Sequence, residues 1–506
     1  MSTEPSLDVG GTRTRRSASA RRLAWACVLV GCTAHAATPA ADVSAHRLGK
    51  LEFRACSLTT HGVPDPIDAY CGELEVPVDR AAPAGPRLKL AIAWLKAREL
   101  ASAAPEPTVL LAGGPGQSAR SQAAAVGRVL RDLRRRRHLL LVDQRGTGAS
   151  SPLACPAPDE DEAPDAGVPE HRARWMRACR ERFSVDPRFV TTADSVADLE
   201  DVRQQLGGVR LDLFGVSYGT RLAQEYARRY PAGVRTMVLD GVVPPSLVLA
   251  RGAGRALDDA LGRSLGTCEG VDGGCEPPLR VLDEALAALA TPRQVTYLDP
   301  FTGAERSTRF GAADLMSLVH TLAYQPLFIA ALPQVFRDAR AGNLGLLAAQ
   351  RRIAMRSAGI ELGMHFAVAC AEDAPQLTDA DAAAEATTRL GREQADVYRA
   401  VCRDWPVRPA PAERLTPLHS DVPTLLLSGE WDPVTPPAGA EAVKASLGRA
   451  RHLVLKGQGH NVFATGCVPK LLAHFIERGA LEDLDTSCVE RVRALRPFTS
   501  RTGWDP

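Results

Sequence analysis

The chain has 506 residues, 45% hydrophobic and 24% charged, a globular composition that excludes a disordered or fibrous protein. That length exceeds one ordinary core, so a large domain with an inserted or appended second one is expected. A formal charge of +2 gives no reason to expect a nucleic-acid partner.

The N-terminus carries Arg13, Arg15, Arg16, Arg21 and Arg22 ahead of the apolar stretch Leu23 to Gly31. A charged region followed by a short apolar one predicts an export signal over residues 1–36. Ala34-His35-Ala36 suits a cleavage site. Leu29-Val30-Gly31-Cys32 resembles the bacterial lipobox, so a lipid on Cys32 is the one membrane attachment expected. No later apolar run reaches spanning length. Loss of residues 1–36 removes five arginines and two acids and leaves a formal charge of about −1.

Beyond Cys27 and Cys32, ten cysteines remain, and an even number in an exported chain favours disulfides. Their close sequential couples suggest 56–71, 155–179, 268–275, 370–402 and 467–488, although spacing alone leaves connectivity open. No CxxC pair has matching histidines, so no metal is expected. No cofactor is expected either. The basic run Arg134 to Arg137 precedes a strand-like stretch and reads as charge at a helix C-terminus rather than a polyanion site.

Short apolar runs then recur, each ending in polar or glycine-rich residues. Pro107 to Leu111 leads into Ala112-Gly113-Gly114-Pro115-Gly116, and His138 to Val142 into Asp143-Gln144-Arg145-Gly146. Leu211 to Val216 leads to Ser217, and Thr236 to Leu239 to Asp240-Gly241. Pro423 to Leu427 precedes Gly429-Glu430-Trp431-Asp432, and Arg451 to Leu455 precedes Gly457-Gln458-Gly459-His460. Such strands separated by helices predict an α/β fold with a mostly parallel sheet and helices on both faces. The site of such a sheet lies at the carboxyl ends of its strands.

Between about 246 and 415 the spacing changes to helical periodicity, as in Leu279 to Leu289, Ala312 to Leu322 and Asp379 to Val401. A short hairpin is expected around Asp299-Pro300 and Thr302-Gly303. This region reads as an inserted, mainly helical cap.

Gly215-Val216-Ser217-Tyr218-Gly219 has the Gly-x-Ser-x-Gly form of a nucleophile elbow, where flanking glycines admit a strained strand-to-helix turn. An ordinary βα turn with Ser217 as helix N-cap would give the same five residues. The order nucleophile, acid, histidine is met by Ser217, Asp432 and His460, each after a predicted strand. Asp240 and Glu430 stay open as other choices of acid. The backbone N–H groups of Tyr218 and of Gly113 or Gly114 are the expected oxyanion donors.

These segments, the Asp143-Gln144-Arg145-Gly146 element above all, resemble the proline iminopeptidase and tripeptidyl aminopeptidase group of α/β-hydrolase exopeptidases. The resemblance implies an α/β-hydrolase fold divided as residues 37–245, cap 246–415 and 416–506. It also implies a peptide substrate with a free N-terminus, from which short N-terminal units leave through an acyl-enzyme on Ser217. Acidic cap residues hold the α-amine in that group, and Cys370-Ala371-Glu372-Asp373 matches, which makes Glu372 the first anchor and Asp373 the second. The chain departs from proline iminopeptidases at Ala112, where they commonly carry His, which favours the secreted tripeptidyl branch. A carboxylesterase using the same triad, or a catalytically silent hydrolase-fold binding module, are the competing functions. Oligomeric state cannot be read from the sequence.

Overall fold

The structure, a computed structural model, describes residues 46–155, 168–266, 276–357, 359–498, 500 and 503–504. The export signal with Cys32, and the couple Cys268 and Cys275, lie outside the described residues.

Eight strands come first: β1 (His46–Leu48), β2 (Leu51–Thr60), β3 (Val63–Pro77), β4 (Arg87–Leu95), β5 (Thr108–Leu111), β6 (Leu139–Val142), β7 (Leu211–Val216) and β8 (Val234–Asp240). A separate antiparallel hairpin follows, β9 (Arg293–Leu298) and β10 (Glu305–Phe310), and then β11 (Thr424–Gly429) and β12 (Ala450–Leu455). All but the hairpin join one sheet in the order β1-β2-β3-β4-β6-β5-β7-β8-β11-β12. The pairs from β6 to β12 are parallel, whereas β1 to β4 run antiparallel and meet β6 antiparallel.

The two halves differ because their residues do. β5, β6, β7 and β11 are buried at every position, as parallel strands covered by helices on both faces must be. Alternation along them feeds two cores: Val109, Leu111, Leu140 and Leu213 point to one face, and Leu110, Leu139, Leu141 and Phe214 to the other. β2 and β3 instead expose every second or third residue.

Among the described residues between β8 and β11, the regular elements are helices apart from the hairpin, whose turn falls at Asp299-Pro300 and Thr302-Gly303. Its helices build a third core around Leu261, Leu282, Leu318 and Phe336, into which Trp431 from the end of β11 also packs. The helical stretch Asp379 to Val401 is divided between two helices, Asp379–Glu385 and Glu393–Cys402. The break includes Gly391 at φ 72°, in the left-handed region that ends helices.

Four disulfides join Cys56 to Cys71, Cys155 to Cys179, Cys370 to Cys402 and Cys467 to Cys488, the couples suggested by spacing. They are typical of an extracellular or periplasmic protein. The basic run is consumed internally. Arg134 donates to the carbonyls of Gly127 and Lys96, Arg135 pairs with Glu99, Arg136 with Glu477, and Arg137 with Glu106 and Asp212.

Candidate active site

Ser217 lies between the end of β7 and the helix Tyr218–Arg229 with φ 55° and ψ −123°. A non-glycine residue in such a conformation costs on the order of 1–3 kcal/mol and needs neighbours that hold it. Ser217 N–H donates to the Asp240 carbonyl at 2.8 Å, and the Ser217 carbonyl accepts from the N–H and hydroxyl of Thr220. The flanking glycines are required by close approach. A β-carbon on Gly219 would lie 1.9 Å from the Leu111 carbonyl oxygen, and one on Gly215 would lie 2.5 Å from that of Gly219.

Asp432 follows β11 and His460 follows β12, neighbouring parallel strands. Both side chains are buried, and His460 Nδ1 lies 2.7 Å from Asp432 Oδ2. Asp432 accepts three further hydrogen bonds, from the N–H groups of Val434 (2.9 Å) and Thr435 (2.8 Å) and from the Thr435 hydroxyl (2.8 Å). That hydroxyl also lies 3.1 Å from His460 Nδ1. Burial disfavours both charged forms, yet the pair overcomes it: Asp432 is held below the usual carboxylate range, and His460 above the usual imidazole value. Nδ1 is thereby committed to the carboxylate. His460 N–H donates to the Tyr324 carbonyl at 2.8 Å, and the two rings meet edge to face.

The other two acids have different work. Asp240 accepts the backbone N–H groups of Val462 and Phe463, which fixes the chain just past His460, and burial pushes its carboxyl up to about 6. Glu430 accepts from Gly457 N–H, at the entrance of the histidine loop. Asp240 and Gly241 also bring the two halves of the site together. The Asp240 carbonyl holds Ser217, and the position of a Gly241 β-carbon lies 2.9 Å from His460 Cε1.

Gly113 and Gly114 leave β5 directly beside the elbow, where a β-carbon on Gly113 would stand 3.1 Å from that of Ser217. Their N–H groups enter no hydrogen bond among the described residues. Tyr218 N–H, first in its helix, has no acceptor within that helix. The Asp143-Gln144-Arg145 element supports this loop from behind. Gln144 donates to the Ala112 carbonyl, Asp143 accepts from Ser118 and from Arg120 N–H, and buried Arg145 forks onto Asp198 at 2.6 and 2.5 Å. From the helical segment, Ile360 pairs with Gln117 and Glu361 N–H donates to the Gly116 carbonyl. His365 Nδ1 lies 3.1 Å from the Pro115 carbonyl oxygen, and its Nε2 lies 2.6 Å from Tyr398 Oη.

Glu372 and Asp373 sit apart from the triad candidates in a buried network. Glu372, 2% exposed, accepts from Thr192 N–H and hydroxyl, both at 2.9 Å, and lies 3.6 Å from Arg221. Burial raises its pKa, with Arg221 opposing. Asp373 takes a fork from Arg221 at 3.0 and 3.1 Å. The Thr192 hydroxyl also lies 2.7 Å from Tyr218 Oη, so the network reaches the residue after Ser217. Sequence reasoning missed Thr435, Thr192, Arg221 and His365. Only Thr435, three residues after Asp432 in a proline-bounded loop, carried a local signal.

A family model described as the alpha/beta hydrolase fold matches residues 107–466. Serine protease Hip1 of Mycobacterium tuberculosis is 26% identical over 541 residues, spanning 95% of this chain and 100% of that protein. Tripeptidyl aminopeptidase of Streptomyces lividans is 32% identical over 199 residues, 36% of this chain and 37% of its own. A probable proline iminopeptidase of Streptomyces coelicolor is 36% identical over 164 residues, 32% of this chain and 41% of its own. The chain thus belongs to the alpha/beta hydrolase fold family and is a serine hydrolase of the type that includes the aminopeptidases.

Proposed function

We propose that the protein is an exported serine exopeptidase that releases short N-terminal units from peptides through an acyl-enzyme on Ser217. The observation that carries this reading is the buried Asp432–His460 pair at 2.7 Å, set across the Asp240-Gly241 turn from a serine held at φ 55°. In the proposed reaction His460 Nε2 takes the Ser217 proton as Oγ attacks the scissile carbonyl carbon. Asp432 holds the Nδ1–H tautomer and stabilises the imidazolium. The N–H groups of Tyr218 and of Gly113 or Gly114 receive the oxyanion. The C–N bond breaks, the leaving amine departs with the proton from His460, and water then cleaves the ester to return Ser217 and release the N-terminal product as an acid.

Residues 246–415 act as the cap in this proposal. Glu372 is a weaker amine anchor than its motif implies, because Thr192 and Arg221 occupy its oxygens. Glu361 is the better-placed carboxylate. It is half-buried beside Gly116, its side chain has no partner among the described residues, and burial raises its pKa. The occupied state of Glu372 and Asp373 also favours a second reading, a carboxylesterase with the same triad.

Free-amine and N-acetylated peptides, assayed side by side with a small ester, separate the two. The peptidase reading requires turnover of the free-amine peptide, and that Glu361→Gln raise KM for it while leaving the ester unaffected. Preference for the blocked peptide or the ester supports the second reading. Ser217→Ala is expected to lower kcat by on the order of 10⁴-fold or more on any substrate while leaving the fold intact. Undiminished turnover in the purified variant would remove Ser217 from the mechanism.

A further inference from the structure

A cavity of about 480 Å³ opens behind the helix Tyr218–Arg229, between that helix, the start of the helix Thr192–Gln205 and the loop 408–414. None of Ser217, Asp432 and His460 lines it. Its walls are rich in arginine, and nearly every arginine is neutralised. Arg80 pairs with Asp198 and Asp201, and Asp198 also carries Arg145. Arg221 pairs with Asp373 and Glu372, Arg228 and Arg229 share Glu225, and Arg408 meets Asp194. Five wall arginines, with Arg145 beyond the wall, therefore face six carboxylates.

Arg414 is the sixth arginine on the wall. Its backbone N–H donates to the Pro411 carbonyl, but its guanidinium has no hydrogen bond or ion pair among the described residues. Half-buried on the cavity wall, it has its charge disfavoured by burial and by Arg221, with the carboxylates of Glu372, Asp373 and Glu225 opposing from beyond ion-pair distance. A guanidinium presents a planar fork of donors that fits a carboxylate through two parallel hydrogen bonds. One uncompensated positive charge balances one negative charge, so a monoanion neutralises the cavity whereas a dianion would overcharge it.

We infer that this cavity is a second binding site, distinct from the catalytic one, that takes a small carboxylate monoanion on Arg414. The helix that forms one wall begins at Tyr218, immediately after Ser217, and Glu372 on the opposite wall reaches Tyr218 Oη through Thr192.

The test uses the full-length protein with Ser217 blocked by a phosphonate, titrated calorimetrically at low salt with N-acetylglycine and, separately, with inorganic phosphate. N-acetylglycine should bind at one site per chain, and Arg414→Gln should weaken it by about tenfold or more, the loss expected for a charge-assisted hydrogen bond. Arg414→Lys, which keeps the charge without the fork, should fall between. Unchanged phosphonate labelling and melting temperature identify variants that are folded. Absence of binding, or equal binding by folded Arg414→Gln, overturns the inference, as does binding that requires an unblocked Ser217. Tighter binding of phosphate than of N-acetylglycine overturns the assignment to a carboxylate.

Discussion

Two groups of buried carboxylates lie on this fold, and they differ in the cation each one faces. At the ends of β11 and β12, Asp432 meets a histidine, whose charge can come and go near neutral pH. Behind the helix Tyr218–Arg229, Asp198, Glu372 and Asp373 meet arginines, whose charge is permanent. Burial and hydrogen bonding are alike in the two places. Only the first contains a group that can gain and lose a proton near neutral pH, whereas the second keeps its cations fixed. A buried acid therefore declares its role through its partner's pKa more than through its own depth.

The largest effect that would sharpen this contrast is on Asp432. Asp432→Asn should keep the loop but lose the stabilised imidazolium, lowering kcat by on the order of 10⁴-fold. Its pH dependence has a definite sign. Asp432 raises the His460 pKa, and in the proposed mechanism only neutral His460 serves as base, so in the parent kcat/KM should fall as pH drops through that raised value. Removing the carboxylate should move this acid limb to lower pH, and a pH–rate profile with an unmoved limb would break the assignment.

Arg145→Met should act on the other side of the comparison. It leaves Asp198 buried with Arg80 alone and is expected to destabilise the fold by about 3–5 kcal/mol, read from urea unfolding. The acid limb should stay where it is. A shift in that limb without loss of stability would show that the two groups are not separate in kind. The smallest effect belongs to Thr435→Val, which removes one donor from Asp432. A loss of about 1–2 kcal/mol, or roughly tenfold in kcat with KM little changed, is expected. An effect on KM alone would place the Thr435 hydroxyl in substrate binding instead.

What could be read in the sequence followed the local character of each feature. The elbow and the strand ends after Leu427 and Leu455 are contiguous strings, and the fully buried parallel strands announce themselves as predominantly apolar runs, interrupted only by residues such as Asp212 and Ser428. β2 and β3 were not legible because one face of each meets water, and Glu, Arg, Asp and Thr alternate with the apolar positions. The buried network was hidden for another reason. Glu372 finds Thr192 and Arg221 on elements 180 and about 150 residues away, a pairing that no spacing rule contains. The motif around Glu372 therefore drew attention to the right residue while leaving its partners out of sight.

The segment Ile360 to His365 touches Pro115, Gly116 and Gln117, so this part of the helical region and the loop that carries Gly113 and Gly114 are joined. If the proposed function holds, making room for a bulkier peptide would mean shifting that segment, and the shift would pull on the backbone next to the proposed oxyanion donors. Substrate breadth and turnover would then be tied as opposing quantities. A variant selected for longer N-terminal units would have to rebuild the Gly116 contact before it could regain speed.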